Sequence, residues 1–200
     1  EKYEVSSKLI SYGADHVKHE VLNDNILEKY SFLKKEYSFG VCRIEPENNL
    51  DMILSAFSEF EKLDLVIIGN WNNSEYGKGL RMQYENCSNF HLLDPIYEQT
   101  LLDQLRSNCK MYVHGHSAGG TNPSLVEAMH LGLSIVAFDV AYNRETTHNR
   151  AVYFDSKTQL INTLTQSEEI DWFSVAEDMR LIAKNEYTWL AISRQYANLF

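Results

Sequence analysis

The sequence predicts an α/β fold, a parallel sheet with helices on both faces. Three observations carry that expectation. From residue 38 onward, short apolar runs alternate with longer segments of helical period, which is the βαβ pattern. The apolar runs read as buried strands, as those of a sheet covered on both sides do. Between the run Met111 to His114 and the next apolar segment stands His116-Ser-Ala-Gly-Gly-Thr-Asn-Pro-Ser-Leu-Val-Glu-Ala-Met-His-Leu-Gly132, a glycine turn leading into a helix.

Residues 1 to 36 are less regular, and Leu9 to Gly13 reads as one strand entering a turn. Ser38 to Cys42 is the first clear strand. A helix from about Leu50 to Phe60 follows, with Met52, Ile53, Ala56, Phe57 and Phe60 on one face. Leu65 to Ile68 is a strand, Gly69 to Ser74 a loop, and Glu75 to Tyr84 a helix. Phe90 to Leu93 is the next strand and Tyr97 to Asn108 an amphipathic helix. After the strand Met111 to His114, Asn122 suits the N-cap of a helix, Pro123 its first position and Gly132 its stop. Ser134 to Phe138 and Val152 to Phe154 complete the strands, with Asn143 to Thr147 a polar loop between them. Helices are expected over Thr158 to Leu164, Asp171 to Lys184 and Thr188 to Phe200. In the last, Trp189, Tyr196 and Phe200 form an apolar stripe expected to join the core.

Two hundred residues with 44% hydrophobic content suffice for one domain or one lobe of a larger protein. We expect a single domain over 1–200, with 1–36 a linker and lead-in segment and 166–200 the C-terminal helices. The chain opens on Glu1 without an initiator Met, so a fragment is expected. A net charge of -10 argues against a nucleic-acid partner and for a small molecule. No run of about 18 apolar residues is present, so no transmembrane segment is expected. Cys42, Cys87 and Cys109 are odd in number and lack C-x-x-C spacing, which fits free thiols in a reducing, cytoplasmic compartment.

The chemistry gathers at the predicted carboxyl ends of the strands, where open α/β sheets bind ligands. Gly119 and Gly120 let backbone N–H groups converge, and a helix beginning at Pro123 offers a phosphate unpaired donors and the positive end of a dipole. Glu127, one turn in, can accept two hydrogen bonds from a vicinal diol such as that of a ribose. The same Glu is also favoured near a helix start without any ligand. His114 and His116 flank Gly115 at a strand end, placed to touch a ligand, but without a third group they are not a metal motif, and no metal is expected. Arg43, at a predicted strand end, carries a permanent charge, and pairing with Glu45 or Glu47 is its plain surface reading.

Three motifs in order resemble the donor-binding half of a GT-B glycosyltransferase, the large retaining group 1 family. They are Phe39-Gly-Val-Cys-Arg-Ile-Glu-Pro-Glu-Asn-Asn-Leu50, Leu65-Val-Ile-Ile-Gly69 and Gly119 to Gly132. Ile10 to Val17 and Ala118 to Met129 are similar to a bacterial rhamnosyltransferase branch, whose setting is polysaccharide biosynthesis. The resemblance implies a Rossmann-like lobe and a nucleoside diphosphate sugar, dTDP-rhamnose among them, as donor substrate in place of any cofactor. It implies transfer with retention to a saccharide or lipid-linked acceptor, and a missing N-terminal lobe without which this one is inactive. Peripheral attachment to the inner face of the membrane would come with that lobe. By the resemblance Arg43 contacts the donor diphosphate and Glu127 the ribose. Gly119, Gly120, Thr121, Asn122 and His116 border phosphates and sugar, Asp94 to Tyr97 lies by the base, and Arg144 and Glu145 stand near the lobe boundary. Two positions depart from the pattern: Gly119 replaces an acidic residue that contacts the donor sugar, and Asn48 replaces a lysine. A non-catalytic sugar-nucleotide-binding module and a GT-B nucleotide-sugar epimerase are the alternative readings.

Overall fold

The structure, a computed structural model, describes residues 8–199. Six strands form one sheet, all parallel: β1 (Tyr37–Val41), β2 (Asp64–Ile68), β3 (Phe90–Leu93), β4 (Met111–His114), β5 (Ile135–Phe138) and β6 (Val152–Phe154). Their spatial order is β3-β2-β1-β4-β5-β6, so the chain winds outward one way from β1 and then the other way from β4. The connections reverse between β1 and β4, and that crevice at the carboxyl ends is where such sheets hold ligands.

Nine helices are described among these residues: α1 (Asp24–Lys29), α2 (Leu50–Glu59), α3 (Glu75–Tyr84), α4 (Gln99–Ser107), α5 (Pro123–His130), α6 (Ala141–Thr146), α7 (Lys157–Thr165), α8 (Trp172–Glu186) and α9 (Trp189–Ala197). Alternation along β2 sorts the core into two layers. Val66 and Ile68 face Leu125, Val126 and Met129 of α5 and Met179 of α8, while Leu65 and Ile67 face Leu54 and Phe57 of α2 and Leu160 of α7. Every residue of β2 is buried, which accounts for its run without alternation.

Three expectations are corrected. Residues 9–13 form no strand: Gly13 lies where an added Cβ would come 2.5 Å from the Trp189 amide nitrogen, so this stretch is laid against the start of α9 rather than paired into the sheet. Within the lead-in segment, Asn23 accepts from the Ile26 N–H to cap α1 and a 3-10 turn follows over Ser31–Lys34. Asn143 to Thr146 is helix, not loop; the Asn143 side chain donates to the His116 and Phe138 carbonyls, so its polarity serves internal hydrogen bonds. Trp189 and Tyr196 do not enter the core, both being about half exposed, because α9 buries Ile192 instead. Phe200 lies outside the described residues.

The caps of α5 follow the sequence. The Asn122 side chain accepts from the Ser124 N–H, Pro123 opens the helix, and Gly132 at φ 66° takes the left-handed position after it. The Gly132 N–H donates to Met129 and that of Leu133 to Ala128, which satisfies two terminal carbonyls.

The loops that follow β1 and β4 are tied together. After a 3-10 turn over Pro46–Asn48, Asn49 sits in the left-handed region at φ 49° and its side-chain amide donates to the Gly115 carbonyl. Ser117 donates to the Glu47 carbonyl through both its N–H and its hydroxyl. At Gly115 a Cβ would lie 2.1 Å from the Asn48 carbonyl oxygen, so only glycine admits this approach. Gly115→Ala is expected to lower stability by about 1–3 kcal/mol through this forced displacement, read as a lower urea midpoint at unchanged slope.

Candidate active site

Two adjoining clefts open at the carboxyl ends of the strands. One, of about 350 Å³, lies beyond β1, β2 and β3 and is lined by Arg43, Gly69, Asn70 and the segment Pro95 to Tyr97. The other, of about 260 Å³, runs from β1 to the start of α5 and is lined by Arg43, Asn48, His116, Asn122, Pro123 and Ser124. Val41, Cys42 and Arg43 wall both, so the end of β1 divides a single trough. Burial pushes the Cys42 thiol up to about 12 against the opposing Arg43 charge, which makes it an inert wall.

Arg43 is mostly exposed, and among the described residues its guanidinium meets only the Glu47 carboxylate, at 3.3 Å. It is the one Lys or Arg lining either cleft among the described residues. Surface pairs of this kind are weak, so a ligand anion can take the guanidinium from Glu47. Asn48 is buried, donates to the Arg43 carbonyl at 2.8 Å, and places its Oδ1 3.1 Å from His116 Nδ1. It therefore fixes the geometry around Arg43 without supplying charge. Burial holds the His116 pKa below the ordinary imidazole value, outweighing the Glu47 carboxylate, and Arg43 acts in the same direction as burial. A neutral His116 presents a hydrogen-bonding ring, not a second cation.

At the start of α5 the Ser124 N–H is already taken by Asn122, and the Asn122 carbonyl accepts from Leu125. The helix end still directs its dipole into the cleft that Arg43 borders. Gly119, at φ 112°, carries the turn ahead of it, and a Cβ at Gly120 would meet nothing within 4 Å, so backbone is freely approached there.

Glu127 stands differently from its expected role as a free acceptor. Its Oε2 receives a hydrogen bond from Arg106 Nη1 at 2.5 Å, and its Oε1 lies 3.3 Å from His16 Nε2. Arg106 is fully buried and also donates to Asp103 Oδ1 at 2.8 Å. Burial disfavours its charge, yet the Glu127 charge and the hydrogen bonds to Glu127 and Asp103 raise its pKa overall. Asp103 in turn accepts from the Lys18 N–H and from Gln99. Arg106 and His16 escaped the sequence reading, because a lone Arg in an amphipathic helix and a lone His in an irregular segment carry no local pattern.

Other expected site residues divide. Tyr97 is exposed at the rim of the first cleft. Asp94 is engaged by Arg81 Nη1 at 2.7 Å and does not line the cleft. Arg144 is held by Asp139 through two hydrogen bonds, at 2.5 and 2.6 Å, and lies over the Tyr153 ring. Thr121 faces a third cleft together with Glu145. His114, expected to touch a ligand, is buried beneath the site, and its Nε2 has no partner among the described residues. Burial first, and the neighbouring His116 second, push its pKa down to about 3.

The family model described as Glycosyl transferases group 1 matches residues 23–185. No curated protein matches the sequence. Among solved structures, sucrose-phosphate synthase from Thermosynechococcus elongatus is similar at a TM-score of 0.78 and 16% identity, over 96% of this chain and 51% of that one. Anabaena Alr3699/HepE, solved in complex with UDP and glucose, is similar at 0.78 and 17% identity, over 96% and 56%. A glycosyltransferase from Rickettsia africae ESF-5 is similar at 0.78 and 12% identity, over 95% and 55%. The chain thus spans about half the length of these structures, and its sheet and helices match one lobe of the GT-B architecture. Among the described residues no helix is long and apolar enough to cross a membrane.

Two measurements test this site's electrostatics. Arg106→Leu is expected to lower stability by roughly 3–5 kcal/mol, because Asp103 stays buried with its charge unpaired; urea denaturation reads it. An unfolded imidazole binds its proton below about pH 6.5, whereas folded His114 does so only near pH 3. Between these values the unfolded state holds the extra proton, so His114 lowers stability as pH falls, by about 1 kcal/mol per unit, and contributes nothing above pH 7. His114→Gln is expected to flatten the pH dependence of the urea midpoint between pH 4 and 6.

Proposed function

The chain belongs to the group 1 glycosyl transferases, and from that premise we propose that it is the lobe that holds a nucleoside diphosphate sugar donor. The observation that carries this reading is the shared position of Arg43, on the wall between the cleft beyond β1 to β3 and the cleft at the start of α5. A diphosphate laid across that wall would place its base side toward Pro95, Ile96 and Tyr97 and its sugar side toward His116 and the glycine turn. As the bond to the sugar breaks, negative charge grows on the departing diphosphate. The Arg43 guanidinium and the dipole of α5 then stabilise it from two directions. The contribution of this lobe is electrostatic and orienting.

We read the transfer as retaining, with the acceptor hydroxyl attacking the face from which the diphosphate departs. The acceptor, a saccharide or lipid-linked sugar, and the N-terminal lobe that would bring it belong to the same proposal. Gly119 and Gly120 give the donor sugar no side-chain acceptors, which favours a deoxyhexose such as rhamnose over a fully hydroxylated hexose. The engagement of Glu127 by Arg106 at 2.5 Å favours a second reading, a sugar-nucleotide-binding module without transfer. Glu127 Oε1, which among the described residues faces only His16 at 3.3 Å, keeps an acceptor for a ribose and supports the first.

Calorimetric titration with dTDP, UDP, GDP and ADP is expected to show one preferred nucleotide, and Arg43→Ala to weaken it by roughly 10- to 100-fold. Glu127→Gln, which keeps a hydrogen bond to Arg106, is expected to weaken nucleosides more than inorganic diphosphate. A folded chain that binds none of the four nucleotides overturns the donor-lobe reading.

A further inference from the structure

Two donors reach Glu127 from different parts of the chain, and they hold its oxygens unequally. Arg106, buried on α4, donates to Oε2 at 2.5 Å and is held in turn by Asp103. His16, in the lead-in segment, stands with Nε2 3.3 Å from Oε1, a much looser approach. One oxygen is thus committed and the other lightly engaged. The side chains of His16 and Glu127 are 43% and 20% exposed, whereas that of Arg106 is closed off entirely. A ligand can therefore reach the gap between His16 and Oε1, and the Arg106 contact fixes the carboxylate from behind.

The other nitrogen of the His16 ring decides what it offers that gap. The Trp189 indole Nε1, which can only donate, lies 3.3 Å from His16 Nδ1. Nδ1 is then the acceptor, and the hydrogen of the neutral ring sits on Nε2, on the Glu127 side. Trp189 is held by the same segment: its N–H donates to Asp15 Oδ1 at 2.7 Å, and the Ala14 N–H donates to the Tyr187 carbonyl at 2.7 Å. Beyond His16, the Lys18 N–H donates to Asp103 Oδ2 at 3.1 Å. Residue 16 is anchored on both sides, to the start of α9 and to the partner of Arg106. These bonds also give a task to a tryptophan that is half exposed and adds little to the core.

We infer that His16 is a specificity-determining residue of the donor site: with Glu127 it brackets one ribose hydroxyl, and Trp189 is its positioning residue. The inference rests on the donor-lobe reading above. Oε1 only accepts and Nε2–H only donates, so the group between them has to donate to one and accept from the other. A hydroxyl does both. A hydrogen in its place does neither, and an ether oxygen leaves the carboxylate without a donor. Trp189 acts through the ring, because losing the indole N–H frees Nδ1 to carry the hydrogen and leaves Nε2 an acceptor beside an acceptor.

The test is calorimetric titration of the chain with the preferred nucleoside diphosphate and with its counterparts that lack a ribose hydroxyl. In the native chain the loss of one such hydroxyl is expected to weaken binding about tenfold, and in His16→Phe only about twofold. Trp189→Phe keeps an aromatic ring without the N–H and is expected to narrow the native discrimination to about threefold. Nitrogen-15 spectra of the His16 ring at about pH 8.5, well above the ordinary imidazole value, are expected to place its hydrogen on Nε2. Dispersed amide spectra show that the variants fold. If His16→Phe weakens every nucleotide equally and keeps the native discrimination, His16 acts through the fold alone; the inference falls and the donor reading stands. Equal affinity of the native chain for all these nucleotides, or a ring hydrogen on Nδ1, also overturns the inference while leaving that reading intact. A folded chain that binds no nucleotide removes both.

Discussion

Where β1 and β4 end side by side, the chain brings two loops so close that the Asn48 carbonyl oxygen occupies the space a side chain at position 115 would need. From that contact Asn49 bonds to the Gly115 carbonyl, Ser117 bonds twice to the Glu47 carbonyl, and the Asn48 side chain spans from the Arg43 carbonyl to His116. These bonds satisfy backbone carbonyls that loop residues would otherwise leave open, and they do so with uncharged groups. The outcome is a trough whose two walls cannot shift independently. The backbone at Arg43, on one wall, and the start of α5, on the other, are thereby tied together, which is the preorganisation an electrostatic site needs.

The charge balance of that trough bears on its proposed role as an anion site. The protein carries a net charge of -10, and among the described residues the two clefts beside Arg43 have one cationic side chain between them, since His116 is kept neutral by burial and position 48 is an amide. What remains is a guanidinium and a helix dipole acting at short range. Long-range attraction contributes little, and the molecule's overall field opposes the ligand. Binding in such a site depends on contact geometry, so the proposed donor binding would depend on the tie between the loops.

Behind α5 the buried Arg106 plays a comparable part for Glu127. A guanidinium removed from water needs more than one partner, and Arg106 has Asp103 on its own helix and Glu127 on the next. Asp103 is also bonded to the Lys18 N–H, so the lead-in segment, α4 and α5 meet at one charged cluster. The same segment carries Ser11 to the cleft that Thr121 and Glu145 line and His16 to the second carboxylate oxygen of Glu127. Residues that precede the sheet thus complete both sides of the face at which it ends.

The order of strands and helices from β1 onward could be read from the sequence, and so could the caps of α5. Apolar period, a side-chain oxygen at an N-cap and a glycine after a helix act within a few residues of themselves, and the Asn122, Pro123 and Gly132 assignments need nothing else. The position of Arg43 and of the glycine turn at the strand ends followed from that order. Tertiary structure decided the rest. It took Asp94 to Arg81, enclosed His114, turned a polar stretch into α6, left Trp189 and Tyr196 at the surface, and drew Glu127 into a pair with a residue 21 positions earlier. Each of these depends on which groups meet across the packed layers, where burial forces a charge or a polar atom to take whatever partner the fold brings near. Local pattern carries no record of that partner.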